Sequence, residues 1–307
     1  MAVKNFLGVY GHVNLDYIID VRRLPEPNTS IQIERERTYF GGTGANVARR
    51  SSCMGVKTAL ASFVGEDFPV DYAEALRKSG VDISEVRQVK GHMTPKVWIF
   101  SDGEGNQMAV VDQGPMRHTV GLPVMLKTAL SSEWVHFCTG SPEYYVKVAR
   151  RATAAGKKIS LDPAQEIHYV YTPRTLGQMM RRVNLFFGNE KEVAKAARML
   201  RLKNKRGLLR YVDAVIETRG RKGASVHEMD GTTDVPAIKP RRIVDVTGAG
   251  DAFRAGFYAG LSRGMDYRQS AVIGSASASF ALEAKGTQTV LPTYGQVLKR
   301  ARGSGAI

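Results

Sequence analysis

The chain has 307 residues, 43% hydrophobic, 24% charged and 8% aromatic, the profile of a soluble globular protein long enough to bury a sizeable core. That hydrophobicity excludes disorder as the main state, and no apolar run approaches the roughly 18 residues of a membrane helix. The formal net charge of +15 favours anionic partners, and the two cysteines, Cys53 and Cys138, exclude a disulfide framework or a four-cysteine zinc site.

Met1 to Asn14 carries one lysine and a short apolar run without a signal-peptide pattern, so the cytoplasm is the expected compartment. The first predicted strand is Phe6 to Val13. A turn-rich stretch follows, ending in the alternating strand Ile31 to Glu34. A second hairpin runs Val97 to Phe100, turns through Ser101 to Asn106, and returns along Met108 to Val111. Further strands are expected at Trp134 to Cys138, Lys158 to Leu161, Val183 to Phe187 and Ala214 to Glu217. Helices are expected at Pro142 to Ala155, Arg174 to Arg182 and Lys191 to Leu202. Short apolar strands alternating with helices imply a parallel sheet covered on both faces. The two hairpins suit a small antiparallel sheet beside it, a candidate lid. Basic residues come in scattered doublets such as Arg22-Arg23 and Arg241-Arg242, which reads as a solvated surface rather than a nucleic-acid groove.

Two segments carry chemistry. Asp245 to Phe253 reads D-V-T-G-A-G-D-A-F, with a helix expected from Ala252 onward. Gly248, Ala249 and Gly250 then sit at a helix N-terminus, where free amides and the dipole bind anions. Asp251 in the same turn could take a hydroxyl proton, or could simply cap the helix. The second segment, Gly41-Gly42-Thr43-Gly44-Ala45-Asn46, opens another helix and offers a backbone platform for a polyhydroxylated ligand, or a plain tight turn. Neither segment is a dinucleotide fingerprint or a P-loop.

These segments, in this order and roughly 200 residues apart, resemble the two signatures of the PfkB, or ribokinase, family of carbohydrate kinases. Val246 departs from the usual D-T-x-G-A-G-D. The resemblance spans residues 1–307 and implies one kinase domain. Its α/β fold would be ribokinase-like: three α/β/α layers, a central mostly parallel sheet, and a small β lid from about 14–40 and 94–113. It implies that Asp251 is the base and that Gly248, Ala249 and Gly250 hold the moving phosphoryl group. Asn14, Asp16, Gly41, Gly42, Thr43 and Asn46 would bind the acceptor. Asn189, Thr218, Gly220, Gly223, Gly250 and Ser275 would face the nucleotide, with Lys285-Gly286-Thr287 as part of the adenine wall. Asn189 and Glu192 resemble the N-x-x-E motif that organises hydrated magnesium, although that pattern also describes a helix-capping box. Asp245 and Thr247 resemble ligands of a monovalent cation such as potassium. The implied donor is ATP, with ADP as the alternative, and the lid is a candidate homodimer contact.

Thr43 stands where ribokinases usually carry lysine. Gly105-Asn106-Gln107, Asp112 to Met116 and Leu161 to His168 resemble the nucleoside-kinase branch, which makes Gln113 and Gln165 further acceptor-binding candidates. Phe40, Phe100 and Met108 are available for a base slot. The expected reaction is transfer to the 5′-hydroxyl of a nucleoside. The alternatives are ribose, ribose 1-phosphate or fructose 6-phosphate as acceptor, the last needing Arg37, Arg49 or Arg50, or a non-catalytic nucleotide or nucleic-acid binder.

Overall fold

The computed structural model describes residues 3–104, 106–119 and 121–307. Strand β1 (Asn5–Tyr10) is followed by β2 (Asn14–Val21), β3 (Ile33–Gly41), helix α1 (Thr43–Cys53), β4 (Thr58–Val64), α2 (Val70–Lys78) and β5 (Asp82–Gln88). Then come β6 (Lys96–Ser101), β7 (Gln107–Asp112), α3 (Lys127–Leu130), β8 (Ser132–Phe137), α4 (Pro142–Ala154), β9 (Lys158–Leu161) and α5 (Pro173–Met180). The last third contains β10 (Leu185–Asn189), α6 (Glu190–Met199), β11 (Ala214–Thr218), β12 (Ala224–Glu228), β13 (Gly231–Val235), α7 (Ala249–Leu261), α8 (Tyr267–Ala281) and α9 (Tyr294–Gly303).

Nine strands form one sheet in the order β13-β12-β11-β10-β9-β8-β1-β4-β5, parallel from β11 through β5, with β12 and β13 added antiparallel at one edge. Side chains alternate across it. Leu7, Val9 and Trp134 pack with α1, α2, α7, α8 and α9; Tyr10, Val135 and Phe137 pack with α3 to α6. Every residue of β4 (TALASFV) is buried, as a strand covered on both faces requires. Among the described residues no helix is long and apolar enough to cross a membrane.

The order changes direction at β1, which is flanked by β4 and β8. In parallel sheets such a switch opens a crevice beyond the carboxyl ends of the strands. The loops after β1, β8, β9, β10 and β11 gather at that edge, beside the small sheet.

The small sheet, ordered β3-β2-β6-β7, corrects the hairpin expectation. Its two antiparallel pairs, β2–β3 and β6–β7, are joined by a parallel β2–β6 pairing. The first strand ends at Tyr10 rather than Val13, and Val13 lies in the turn that leads into β2. The expected Ile31 to Glu34 strand starts at Ile33 and runs to Gly41, because β2 pairs along its whole length. The strand expected at Val183 to Phe187 starts two residues later and extends to Asn189, pairing there with Thr218.

Candidate active site

The two glycine-rich segments begin helices on a positive-φ glycine, whereas α2 and α3, also without a side-chain cap, begin on Pro69 and Leu126. Helices α4, α5, α6, α8 and α9 begin on side-chain caps from Ser141, Thr172, Asn189, Asp266 and Thr293. Helix α7 begins on Gly248 in the left-handed region (φ 74°), and α1 on Gly42 at φ 99°, both without a side-chain cap. No side chain therefore covers their first-turn amides, although the Ala45 amide is taken by the His12 carbonyl at 3.2 Å and the Ala249 amide lies 3.4 Å from the Val246 carbonyl; the others can meet an anion or a hydroxylated ligand. The helix expected from Ala252 starts at Ala249, so Asp251 lies inside its first turn and is not the cap.

Close approach explains the first signature. A Cβ on Gly41 would lie within 2.2 Å of the Asp16 carboxylate. One on Gly42 would lie within 2.4 Å of the His12 carbonyl oxygen. The turn after β1, with Asn14 and Asp16 at the start of β2, is thus pressed against the start of α1. Asn14 Nδ2 donates to Asp16 Oδ1. Burial pushes the Asp16 carboxyl up to about 7, against the Asn14 hydrogen bond, with the Asp251 and Asp245 charges adding to the rise.

Asn46 joins the two signatures: its Nδ2 donates to Asp251 Oδ2 at 2.7 Å. Burial raises Asp251 to about 6; the Asn46 bond opposes this, Asp162 adds to it, and Arg254 and Arg50 oppose it. A carboxyl with this value is largely ionised at neutral pH and more basic than an ordinary carboxylate.

Three further groups converge here: sequence reasoning assigned no role to Arg254 or Gln288, held Glu166 only within the Leu161 to His168 segment, and placed Thr287 in the adenine wall rather than at Asn46. Arg254, one turn after Asp251, is buried with Nε 2.8 Å from Asp162 Oδ2, while its Nη1 donates to the Gly250 carbonyl at 3.2 Å. Burial works against its charge, but Asp162, Glu192 and Asp251 together hold its pKa above the ordinary arginine value. The i, i+3 spacing from Asp251 was the available signal. Glu166 accepts from Gln113 Nε2 at 2.9 Å and from the Gly140 amide, and burial pushes it up to about 8. Next to it, His12 Nδ1 lies 2.8 Å from Thr139 Oγ1, which is 2.6 Å from Thr43 Oγ1. Burial lowers His12 to about 4. The half-buried Gln113 and Thr43 are therefore brought onto one polar wall with the buried His12, Thr139 and Glu166, but Gln165 is exposed and its neighbour Glu166 takes the inward position.

The third group is the segment after α8. Gln288 Nε2 and Thr287 Oγ1 reach Asn46 Oδ1, each at 2.9 Å. Arg49 Nη1 donates to Gln288 Oε1 at 3.0 Å, and Arg50 donates through Nε and Nη2 to the Thr287 carbonyl. These arginines are thus turned to the 287–288 segment, and Arg50 is almost wholly buried. Arg37 is exposed on β3. The cationic pocket that fructose 6-phosphate would need is not what Arg49 and Arg50 build.

Among the residues expected to face the nucleotide, Asn189 and Thr218 are register partners on β10 and β11. Asn189 Oδ1 accepts from the amides of Lys191 and Glu192, and Glu192 Oε2 accepts from the Asn189 amide at 2.7 Å. This is a reciprocal capping box; burial and the Asp162 charge raise the Glu192 carboxyl above its ordinary value, and the Asn189 amide and the Arg254 charge oppose the rise. Gly220 and Gly223 both have positive φ in the turn after Thr218. A Cβ on Gly223 would meet the Val235 carbonyl at 2.0 Å. Ser275 is buried on α8, which packs against α7. Asp245 Oδ1 accepts from the Thr247 amide at 2.9 Å, and its Oδ2 from the Gly286 amide at 3.5 Å, tying the α7 loop to the segment after α8. Among the described residues no group of three or more His, Cys, Asp or Glu is arranged to hold a metal.

The aromatic candidates divide. Phe40 stacks on Tyr72 with ring centroids 4.2 Å apart, Met108 is exposed on β7, and Phe100 is partly buried on β6. Asn106 and Gln107 bond to Asp102 and Ser101 in the turn between β6 and β7; Gly105 lies outside the described residues.

The model of the pfkB family of carbohydrate kinases matches residues 4–294. The chain is 38% identical over 291 residues to a nucleoside kinase of Methanocaldococcus jannaschii, covering 94% of each protein. It is 36% identical to a nucleoside kinase of Methanothermobacter thermautotrophicus, covering 98% of this chain and 96% of that one. A cytidine kinase of Thermococcus kodakarensis is 32% identical, over 87% and 92% of the two chains. The crystal structure of the M. jannaschii enzyme, described as an archaeal member of the ribokinase family, superposes with a TM-score of 0.92 over 99% of this chain and 100% of that one. The fold is ribokinase-like.

Proposed function

Because the chain belongs to the pfkB family of carbohydrate kinases, we propose that it transfers a phosphoryl group from ATP to the 5′-hydroxyl of a nucleoside. The observation that carries the acceptor class is the wall beside Thr43. It is built of hydroxyls, an amide, a histidine lowered by burial and a carboxyl raised by burial, while Arg49 and Arg50 are committed elsewhere. Such a wall suits the neutral polar edge of a base better than a second phosphate. The nucleoside kinases at 36–38% identity support the same reading.

Asp16, Asn14 and the Gly41–Asn46 turn would grip the ribose hydroxyls. Asp251 Oδ2 holds Asn46, and Oδ1 would take the 5′-hydroxyl proton. The amides of Gly248, Ala249 and Gly250 would stabilise charge on the moving phosphoryl group, with Thr218, Gly220, Gly223 and Ser275 around the nucleotide. Magnesium held by phosphates and water would neutralise donor charge. The Asn189–Glu192 box fits it as a partner through water, since magnesium usually keeps several waters and few protein ligands. Asp245 and Thr247 would supply oxygens to a monovalent cation, the Asp245 carboxylate also accepting from the Thr247 and Gly286 amides.

The whole chain would act as one kinase domain, with the small sheet as a lid that excludes water. The β3 and β7 edges expose Ile33, Met108, Val110 and Val111, which supports a homodimer through the lid. The two unpaired cysteines suit the cytoplasm. The test is kcat/KM for inosine, guanosine, adenosine, cytidine, ribose, ribose 1-phosphate and fructose 6-phosphate, each with ATP and with ADP. A nucleoside with ATP should rank first; preference for either sugar phosphate over every nucleoside overturns the acceptor.

A further inference from the structure

An asparagine amide can face a neighbour with its oxygen or its nitrogen, and the hydrogen-bond network around it decides which. At Asn46 the choice matters, because the amide meets the Asp251 carboxylate. Nitrogen toward Asp251 is a charge-assisted hydrogen bond; oxygen toward it is a repulsion.

The network has two ends that cannot reverse. Arg49 can only donate, and it meets Gln288 Oε1 at 3.0 Å. The Gly41 carbonyl can only accept, and it takes the Tyr72 hydroxyl proton at 2.6 Å. Tyr72 Oη must therefore accept from Gln288 Nε2, 2.8 Å away, and the other Gln288 N–H goes to Asn46 Oδ1. Thr287 Oγ1 also reaches Asn46 Oδ1, but it has one proton and a second acceptor, the Phe40 carbonyl at 3.2 Å. Gln288 is the donor whose polarity is fixed. It lies buried, as do Asn46 and Tyr72, so water does not substitute for it.

We propose that Gln288 is a positioning residue for phosphoryl transfer: held by Arg49, it fixes the Asn46 amide so that nitrogen, and not oxygen, meets Asp251. The same residue supports the acceptor turn through Tyr72 and the Gly41 carbonyl. Its loop also touches the lid, where a Cβ on Gly286 would meet the Tyr39 ring at 2.3 Å and Lys285 Nζ lies 3.5 Å from Asp20 Oδ1. One loop thus links lid, acceptor turn and base. This inference rests on Asp251 being the base.

The experiment uses Gln288→Glu, Gln288→Met, Asn46→Ala, the two corresponding double variants and Asp251→Asn in the full-length enzyme. A glutamate keeps the shape but offers acceptors to both Asn46 Oδ1 and Tyr72 Oη. Its kcat should fall by ~10- to ~100-fold, the scale of a hydrogen bond to a charged group, while KM for the nucleotide stays within about threefold. Methionine, which adds no charge, should lower kcat less, and it carries the test if the glutamate variant does not fold. In the Asn46→Ala background either change should cost less than about twofold in kcat, since Gln288 would have nothing left to orient. Full additivity with Asn46→Ala, or a lowered thermal midpoint with unchanged kcat, overturns the proposal. Normal turnover in Asp251→Asn removes the base assignment and this inference together. Loss of turnover there, with additive Gln288 effects, removes this inference alone.

Discussion

Replacing Asp251 by asparagine tests the mechanism at its centre. The amide matches the carboxylate in shape, and its oxygen can keep the 2.7 Å bond from Asn46 Nδ2. The other position then carries an NH2, a donor where the reaction needs an acceptor. A general base contributes typically ~10²- to ~10⁴-fold, so kcat should fall by that factor while nucleotide affinity stays within a few-fold. The wild-type pH profile gives a second reading. With Asp251 at about 6, about nine-tenths of the enzyme holds the base ionised at pH 7 and about a tenth at pH 5, so turnover should fall as pH drops through 6. Asp251→Asn should lose this limb. Stability should move the other way. A carboxyl whose folded pKa lies above its unfolded value costs the fold stability, beginning near the ordinary carboxylate range and complete above the folded pKa. The asparagine variant should therefore melt at or above the wild-type temperature at pH 7. The assays are nucleotide product release at saturating acceptor from pH 5 to 8, calorimetric nucleotide titration and a melting curve. Turnover near wild type, or an acid limb at pH 6 that survives in Asp251→Asn, would refute the argument.

Asp16→Ala should raise the acceptor KM by ~10- to ~100-fold and lower kcat less, with donor binding unchanged. Separate titrations of acceptor and donor check it, and a loss confined to the donor contradicts the assignment. Gly42→Ala should destabilise the protein by about 1–3 kcal/mol and weaken acceptor binding, because φ is 99° and the new Cβ would sit 2.4 Å from the His12 carbonyl oxygen. A wild-type melting curve with wild-type acceptor affinity would show that the turn after β1 yields freely.

The sequence by itself determined the glycine-rich turns, because a left-handed helix start or a backbone contact admits little but glycine. It also determined strands such as β9 and helices such as α4, where a short apolar run or a Ser-Pro start is a local signal. Strand β4, buried on both faces, has no alternation to announce it, and β5, β12 and β13 were likewise unread. The parallel β2–β6 pairing was hidden because the residues between the strands carry no register information. Tertiary structure alone decided which polar groups surround Asp251. Asn46 lies about 200 residues from Asp251 and about 240 from Gln288, and Arg254 finds Asp162 across roughly 90 residues. The doublet Arg49-Arg50 looked like a solvated or sugar-phosphate-binding pair until the chain was closed. It clamps Thr287 and Gln288 because the segment after α8 comes back against α1, and no local propensity encodes a meeting of segments so far apart.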